Sequence, residues 1–183
     1  SISVTAHLDA DGRLHVRERQ QIRFSGDWNG AERRFAVGFG QRFDFESITR
    51  IDSANDATVP MVENDIDRVD GFAWLDGQLL RWRSRLPEDP PFDNTLRTYE
   101  LAFTYSNILE VDGDTTYSLA HDFAFTDREG DIDRFTLRLT LDSAWRAPVD
   151  FTGEYETSAV TPGNGVVVTV PLVRVIATPP GAV

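Results

Sequence analysis

Ile2-Ser3-Val4-Thr5-Ala6-His7-Leu8-Asp9-Ala10-Asp11-Gly12-Arg13-Leu14-His15-Val16 alternates apolar and polar residues on both sides of an Asp-Gly turn. Period-two alternation puts every second side chain on one face of an extended strand. An Asp-Gly pair between two such runs is a strong local signal for an antiparallel hairpin. A three-residue loop, Ala10-Asp11-Gly12, with Gly12 at positive φ, pairs Leu8 with Leu14, Ala6 with Val16 and His7 with His15. The apolar set then shares one face and the two histidines share the other.

Continued outward, the same register opposes Val4 to Glu18, so Glu18 and Gln20 fall in the inward phase between Val16 and Ile22. An inward carboxylate is costly unless it is paired. Two readings follow. Either the strand bends between Arg17 and Gln21 and turns Glu18 to solvent, or Glu18 forms a structural ion pair with Arg33 or Arg34. Those arginines follow the polar loop Ser25-Gly26-Asp27-Trp28-Asn29-Gly30, and the pair would lock loop to sheet.

The rest of the chain repeats the grammar. Phe35, Val37 and Phe39 alternate, and Phe43, Phe45, Ile48 and Ile51 carry on to a turn at Ser53-Ala54-Asn55-Asp56. Pro60 marks an edge or irregular strand. A second hairpin joins Phe72-Ala73-Trp74-Leu75 to Gln78-Leu79-Leu80-Arg81-Trp82 through a two-residue turn, Asp76-Gly77. That register sets Ala73 and Leu75 beside Leu80 and Trp82, with Phe72, Trp74 and Leu79 on the other face. Arg81, Arg83 and Arg85 form an alternating stripe, read as a solvated strand face or, second, as an anion site. Tyr99, Leu101, Phe103 and Tyr105 make the cleanest alternation, and Phe135, Leu137, Leu139 and Leu141 make another. The β-branched run Val166–Val170 reads as a central or doubly buried strand, continued by Leu172 to Ile176 beyond Pro171. No stretch has a sustained 3.6-residue period. About ten short strands predict an all-β fold, an antiparallel β-sandwich with immunoglobulin-like architecture. It forms a single domain over residues 1–177, with residues 178–183 as a linker or disordered tail.

Composition narrows the function classes. The 183 residues suffice for one substantial domain. The net charge is -12, and all 18 basic residues are arginine. So acidic a chain repels phosphate backbones and anionic lipid, so nucleic acid is not expected as a partner. The absence of cysteine excludes disulfides, thiolate catalysis and Cys-based zinc sites. No apolar run of about 18 residues is present to span a bilayer, and a start at Ser1 reads as a mature or trimmed segment.

Candidate chemistry is sparse. There is no Gly-x-Ser-x-Gly elbow, and His7, His15 and His121 lie on or beside strands without a marked partner. The chain is therefore expected to be non-enzymatic. His7 and His15, as cross-strand neighbours, would hold Zn²⁺ or Cu²⁺ only if a third ligand arrived. Acidic loops occur at Asp65, Asp67 and Asp70, at Asp112 and Asp114, and at Asp127, Glu129, Asp131 and Asp133. None has EF-hand spacing. Calcium is the ion such loops would take, with the last cluster as the candidate metal site, and otherwise no cofactor is expected. For binding, loops on a rigid sandwich point to Trp28 with Asp27, Asn29 and Arg33, and to Trp74 second. Trp28 is read either as an exposed anchor or as a cover for the open end of the sandwich.

The first hairpin and its loop resemble the predicted bacterial membrane proteins grouped as domain of unknown function 2207. The residues that carry the likeness are Leu8-x-x-Asp11-Gly12-x-Leu14-x-Val16-x-Glu18, then Phe24-x-Gly26, Gly30, and Arg33 or Arg34. Arg97 to Tyr105 resembles the family's later Tyr-x-x-x-x-Tyr strand. Tyr117-Ser118-Leu119-Ala120-His121-Asp122 stands where the family tends to carry an acidic-aromatic Trp-Asn motif, which is missing here. The resemblance implies an extracytoplasmic domain exported behind a signal peptide and followed by a transmembrane helix and a cytoplasmic tail. It implies no reaction, ligand or catalytic residue. The expectation is a membrane-tethered binding module for an unknown protein or surface ligand, touching the membrane only through flanking segments. The alternatives are a calcium-assisted carbohydrate- or peptidoglycan-binding accessory domain and a structural spacer.

Overall fold

The computed structural model describes residues 1–52 and 55–175. Ser53 and Ala54 of the expected turn, Ile176 of the expected strand continuation and the expected tail at 178–183 lie outside the described residues. Among those described there are fifteen strands and no helix, so the fold is all-β.

The strands form three sheets. The largest contains β1 (Ile2–Leu8), β2 (Leu14–Gly26), β4 (Arg42–Ile51), β5 (Thr58–Pro60), β9 (Phe92–Ser106), β12 (Ile132–Leu141) and β14 (Glu154–Val160). Its order is β14-β12-β1-β2-β9-β4-β5. The second contains β3 (Gly30–Arg34), β6 (Val62–Glu63), β7 (Gly71–Asp76) and β8 (Leu79–Arg83), in the order β3-β8-β7-β6. The third contains β10 (Leu109–Val111), β11 (Thr116–Asp122), β13 (Trp145–Arg146) and β15 (Val167–Arg174), in the order β10-β11-β15-β13.

The first hairpin has the register its sequence dictates. Leu8 pairs with Leu14, Ala6 with Val16, His7 with His15 and Val4 with Glu18, and Gly12 has φ of 80°. Burial alternates strictly along β1 and through most of β2. The large sheet presents one apolar face, built from Val4, Leu8, Leu14, Val16, Phe103 and Leu137. Both smaller sheets lie on it. Phe35, just past β3, packs edge-on against Phe103 at 5.0 Å, and Trp82 of β8 lies 5.4 Å from Tyr99. On the third sheet, His121 lies 4.7 Å from Tyr105. The opposite face, with His7, His15 and Arg17, is solvent-exposed.

Several expectations need correction. Most ladders are antiparallel, but β1 pairs with β12, and β6 with β7, in parallel. The long stretch between β1 and β12 removes the hairpin constraint that enforces antiparallel pairing. In the second hairpin Leu75 bulges out, so Phe72 faces Trp82 and Trp74 faces Leu80, one residue away from the two-residue-turn register. The Asp76 side chain drives this by accepting the backbone N–H groups of Gln78 and Leu79 at 2.8 and 2.7 Å, an Asx-type turn. Phe72, Trp74, Leu80 and Trp82 thereby gather on one face, while Leu75 stays exposed. Of the two readings of β15, the central one holds, and the strand is buried on one side only, with Val167 and Val173 exposed. Pro60 does sit on an edge strand, β5.

Candidate functional site

The site begins with the inward carboxylate. Glu18 and Arg33 are 1% and 3% exposed, and Arg33 Nη2 donates to Glu18 Oε2 at 2.9 Å while its Nε reaches both carboxylate oxygens. Gln20 donates to Glu18 Oε1 at 2.5 Å. The guanidinium also lies 4.0 Å from the Phe125 ring and 4.8 Å from that of Phe35. Strand β2 runs straight through Glu18, so the bend is absent, and the ion pair forms with Arg33. Arg34 does not join it. It reaches Asp76 at 3.2 Å and Asp127 at 3.0 Å, because adjacent strand residues point to opposite faces. Arg33 is thus an interior tie between β2 and β3, with no surface left to offer a ligand.

A second arginine organises the Trp28 loop. Arg85 is 6% exposed and donates to the backbone oxygens of Trp28, Asp27 and Asp89 and to the Asn29 side chain. Ser84 and Arg85 also donate their backbone N–H groups to Asn29 O. The Arg81–Arg85 stripe is solvated at Arg81 and buried at Arg85. Arg81 pairs with Glu32, Arg83 donates to Ile66 O, and Arg85 is buried. The loop so clamped leaves Trp28 50% exposed and Asp27 at the surface. Gly30 is required at the loop's end: a Cβ there would stand 1.8 Å from Trp82 O.

A third arginine organises the opposite loop. Arg128 donates to the carbonyls of Ala124, Phe125, Val160, Thr161 and Asn164. It ties residues 124–128 to the turn before β15 and displays Asp127, Glu129, Asp131 and Asp133 outward. Among the described residues no group of three or more His, Asp or Glu gathers as metal ligands. His7 turns to Thr140, and His15 to Asp9 and Thr104. Trp74 packs edge-on to Phe45 at 5.3 Å within the aromatic cluster, partly covered, and borders a smaller hollow of about 360 Å³.

Between these loops, at the Ile2 end of the large sheet, opens a cleft of about 1300 Å³. Trp28 and the edge of β3 form one wall, the acidic loop forms the other, and Ile2, Ile22 and Phe24 belong to its apolar lining. Two buried side-chain donors lack a hydrogen-bond partner among the described residues, Trp82 Nε1 and Arg128 Nε, and both residues line this cleft. Buried polar groups are normally satisfied, so each of these two donors is an exception at the border of the cleft. The sequence singled out Trp28 but not Trp82 or Arg128, and it marked Arg85 only as part of the basic stripe. Their roles depend on loops more than 30 residues apart in the chain, and no local pattern encodes that.

The two groups whose acidities are displaced furthest lie outside the cleft. Burial, reinforced by the nearby Arg33 charge, lowers His121 to about 4 against the opposing pull of Asp122. Burial raises Tyr105 to about 12.

Fold and site together define an all-β domain of three sheets with one open, aromatic-walled cleft. The chain belongs to the family described as "Predicted membrane protein (DUF2207) N-terminal domain", which it matches over residues 1–174. No helix among the described residues is long and apolar enough to cross a membrane. No curated protein matches the chain. Among solved structures it is similar to one described as "a putative protease from Parabacteroides distasonis", with 10% identity and a TM-score of 0.41. That likeness covers 95% of this chain and 39% of the other, and it is too slight to bear on function.

Proposed function

We propose that this chain is the extracytoplasmic, non-enzymatic binding module of a membrane-tethered protein, and that it engages a partner or surface ligand through the cleft beside Trp28. The architecture behind this reading is a β-sandwich whose second layer is split into two sheets. The observation that carries it is an open cleft of about 1300 Å³ walled by a half-exposed tryptophan on an arginine-clamped loop and bordered by two buried donors without a partner among the described residues, Trp82 Nε1 and Arg128 Nε. Preorganised loops bind with little ordering cost, and an aromatic platform supplies contact area. The groups displaced furthest, His121 and Tyr105, stand away from the cleft, while the Ser1 amino group and Arg128, both shifted down by burial, line it.

The geometry also suits a tether. Strand β15 ends beside the tip of the first hairpin, where Arg174 Nη1 donates to Ala10 O. The cleft lies at the other end of β1, roughly 20 Å away at ~3.3 Å per residue. A membrane anchor following β15 would hold the cleft away from the bilayer.

The chain has no cysteine, so a single Val149→Cys substitution at a fully exposed site tests the compartment. In intact cells making the full-length protein, a membrane-impermeant maleimide should label this variant. Labelling only after lysis would overturn the extracytoplasmic assignment.

A further inference from the structure

We infer that the hollow bordered by Trp74 is a second binding site, separate from the cleft, and that it takes the methylated ammonium group of a small organic cation. It opens between β4 of the large sheet and the β6–β7 margin of the second sheet, and its volume of about 360 Å³ lies in the range of small-molecule pockets. Three of its walls are Phe45, Phe72 and Trp74. The Phe45 and Trp74 planes meet at 90° with centroids 5.3 Å apart, and those of Phe45 and Phe72 at 60° and 5.6 Å. The rings stand at an angle to one another and not as a flat stack. Met61, almost wholly buried, also lines the hollow, and its N–H donates to Ile48 O at 3.2 Å. That bond ties the margin to β4, so the hollow is formed before any ligand arrives.

Charge selects the occupant. Glu63 is the register partner of Phe72 in the parallel β6–β7 ladder, so its side chain leaves the sheet on the face that carries Phe72 and Trp74. It forms no ion pair among the described residues. Glu46, the other carboxylate of the lining, is committed to Thr104 Oγ1 at 2.7 Å. No arginine lines the hollow, and the chain has no lysine. Elsewhere in the domain an arginine guanidinium stands over the rings of Phe35, Phe125 and Trp145, at 4.0 to 4.8 Å. The three rings of the hollow have no such cation among the described residues, and an aromatic face attracts one. A protonated amine or a guanidinium would bring N–H groups that ring faces leave without a full acceptor. Calcium would need six or more oxygens, where one free carboxylate stands. A quaternary ammonium carries its charge with no N–H donor, so ring faces and Glu63 suffice to hold it.

The probe is choline chloride, titrated at constant ionic strength into the whole ¹⁵N-labelled chain, beside neohexyl alcohol, its uncharged carbon isostere. The Trp74 indole N–H and Glu63 amide signals should shift saturably with choline, at a Kd at least tenfold below that for the alcohol, while the Trp82 and Trp145 indoles stay in place. Glu63→Gln, at an exposed position, should weaken choline binding at least threefold and leave the melting temperature unchanged. Phosphatidylcholine vesicles that attenuate the same two signals place the ammonium group on a lipid. A response to free choline alone places it on a soluble cation, and either result supports the inference. Equal affinity for choline and the alcohol would overturn it, since the hollow would then select apolar bulk and not charge. So would unchanged affinity in Glu63→Gln, or a Trp74 signal that stays still at millimolar choline, including a shift confined to Trp28.

Discussion

Glu18→Gln removes the charge that neutralises Arg33 without changing side-chain size. Both groups are almost wholly buried, with bonds of 2.9 to 3.2 Å between them, so the variant leaves an uncompensated cation in the interior. Breaking one side of a buried pair costs about 3–5 kcal/mol. In a domain of this length that lowers the melting temperature by roughly 10 °C, at about 2–4 °C per kcal/mol. Arg33→Met should cost a similar amount, softened because a methionine side chain fills part of the space between the Phe35 and Phe125 rings that the guanidinium occupies. The double variant Glu18→Leu/Arg33→Met removes both charges and should recover most of the loss, since apolar replacement of a whole buried pair is often neutral. It will fall short of wild type by about 1–3 kcal/mol, because the Gln20 amide loses its acceptor. Urea unfolding followed by circular dichroism closes the cycle, with an expected coupling of at least ~2 kcal/mol. Single variants that each cost less than about 1 kcal/mol, or costs that simply add, would refute the claim that this pair fastens β3 to the large sheet.

The pH dependence follows from His121. Its folded pKa of about 4 lies below the ordinary 6.5, so the unfolded chain takes up the proton first as pH falls. The stabilisation is complete above pH 6.5 and is lost progressively down to pH 4, a total of about 3 kcal/mol. Urea midpoints at pH 7.5, 5.5 and 4.5 should fall in wild type and stay flatter in His121→Phe; equal slopes would contradict this. Gly30→Ala drives a methyl into the Trp82 carbonyl and should destabilise by about 1–3 kcal/mol, whereas Gly77→Ala, with nothing within 4 Å, should stay within about 1 kcal/mol. Arg85→Met removes the donors that hold Asp27 to Asn29. Amide exchange at residues 27–29 should then rise at least tenfold, with β12 unchanged.

The parts legible in the sequence were those governed by local rules. The first hairpin announces its register because an Asp-Gly turn and period-two burial agree, and the inward Glu18 follows from that register alone. The second hairpin misleads because Asp76 captures two backbone N–H groups and shifts the pairing by one, a competition that counting residues cannot resolve. Alternation along β1 exposes its hydrophobic face but carries no information on which strand occupies its far edge, so the parallel partner β12 was invisible. Trp28 stood out as a lone aromatic in a polar loop. The arginines that shape its cleft read as ordinary surface charges until the fold placed carbonyl groups around them.

The cleft is tested most directly where the protein works. A benzophenone-bearing residue replaces Trp28 in the full-length protein, and a second variant carries it at Val149, which is still more open to solvent and lies far along the chain in the turn before β14. On irradiation of intact cells, the Trp28 position should yield a discrete covalent adduct that the Val149 position does not. Adducts in equal measure at both positions, or none at Trp28, would contradict the assignment of the cleft as the contact surface.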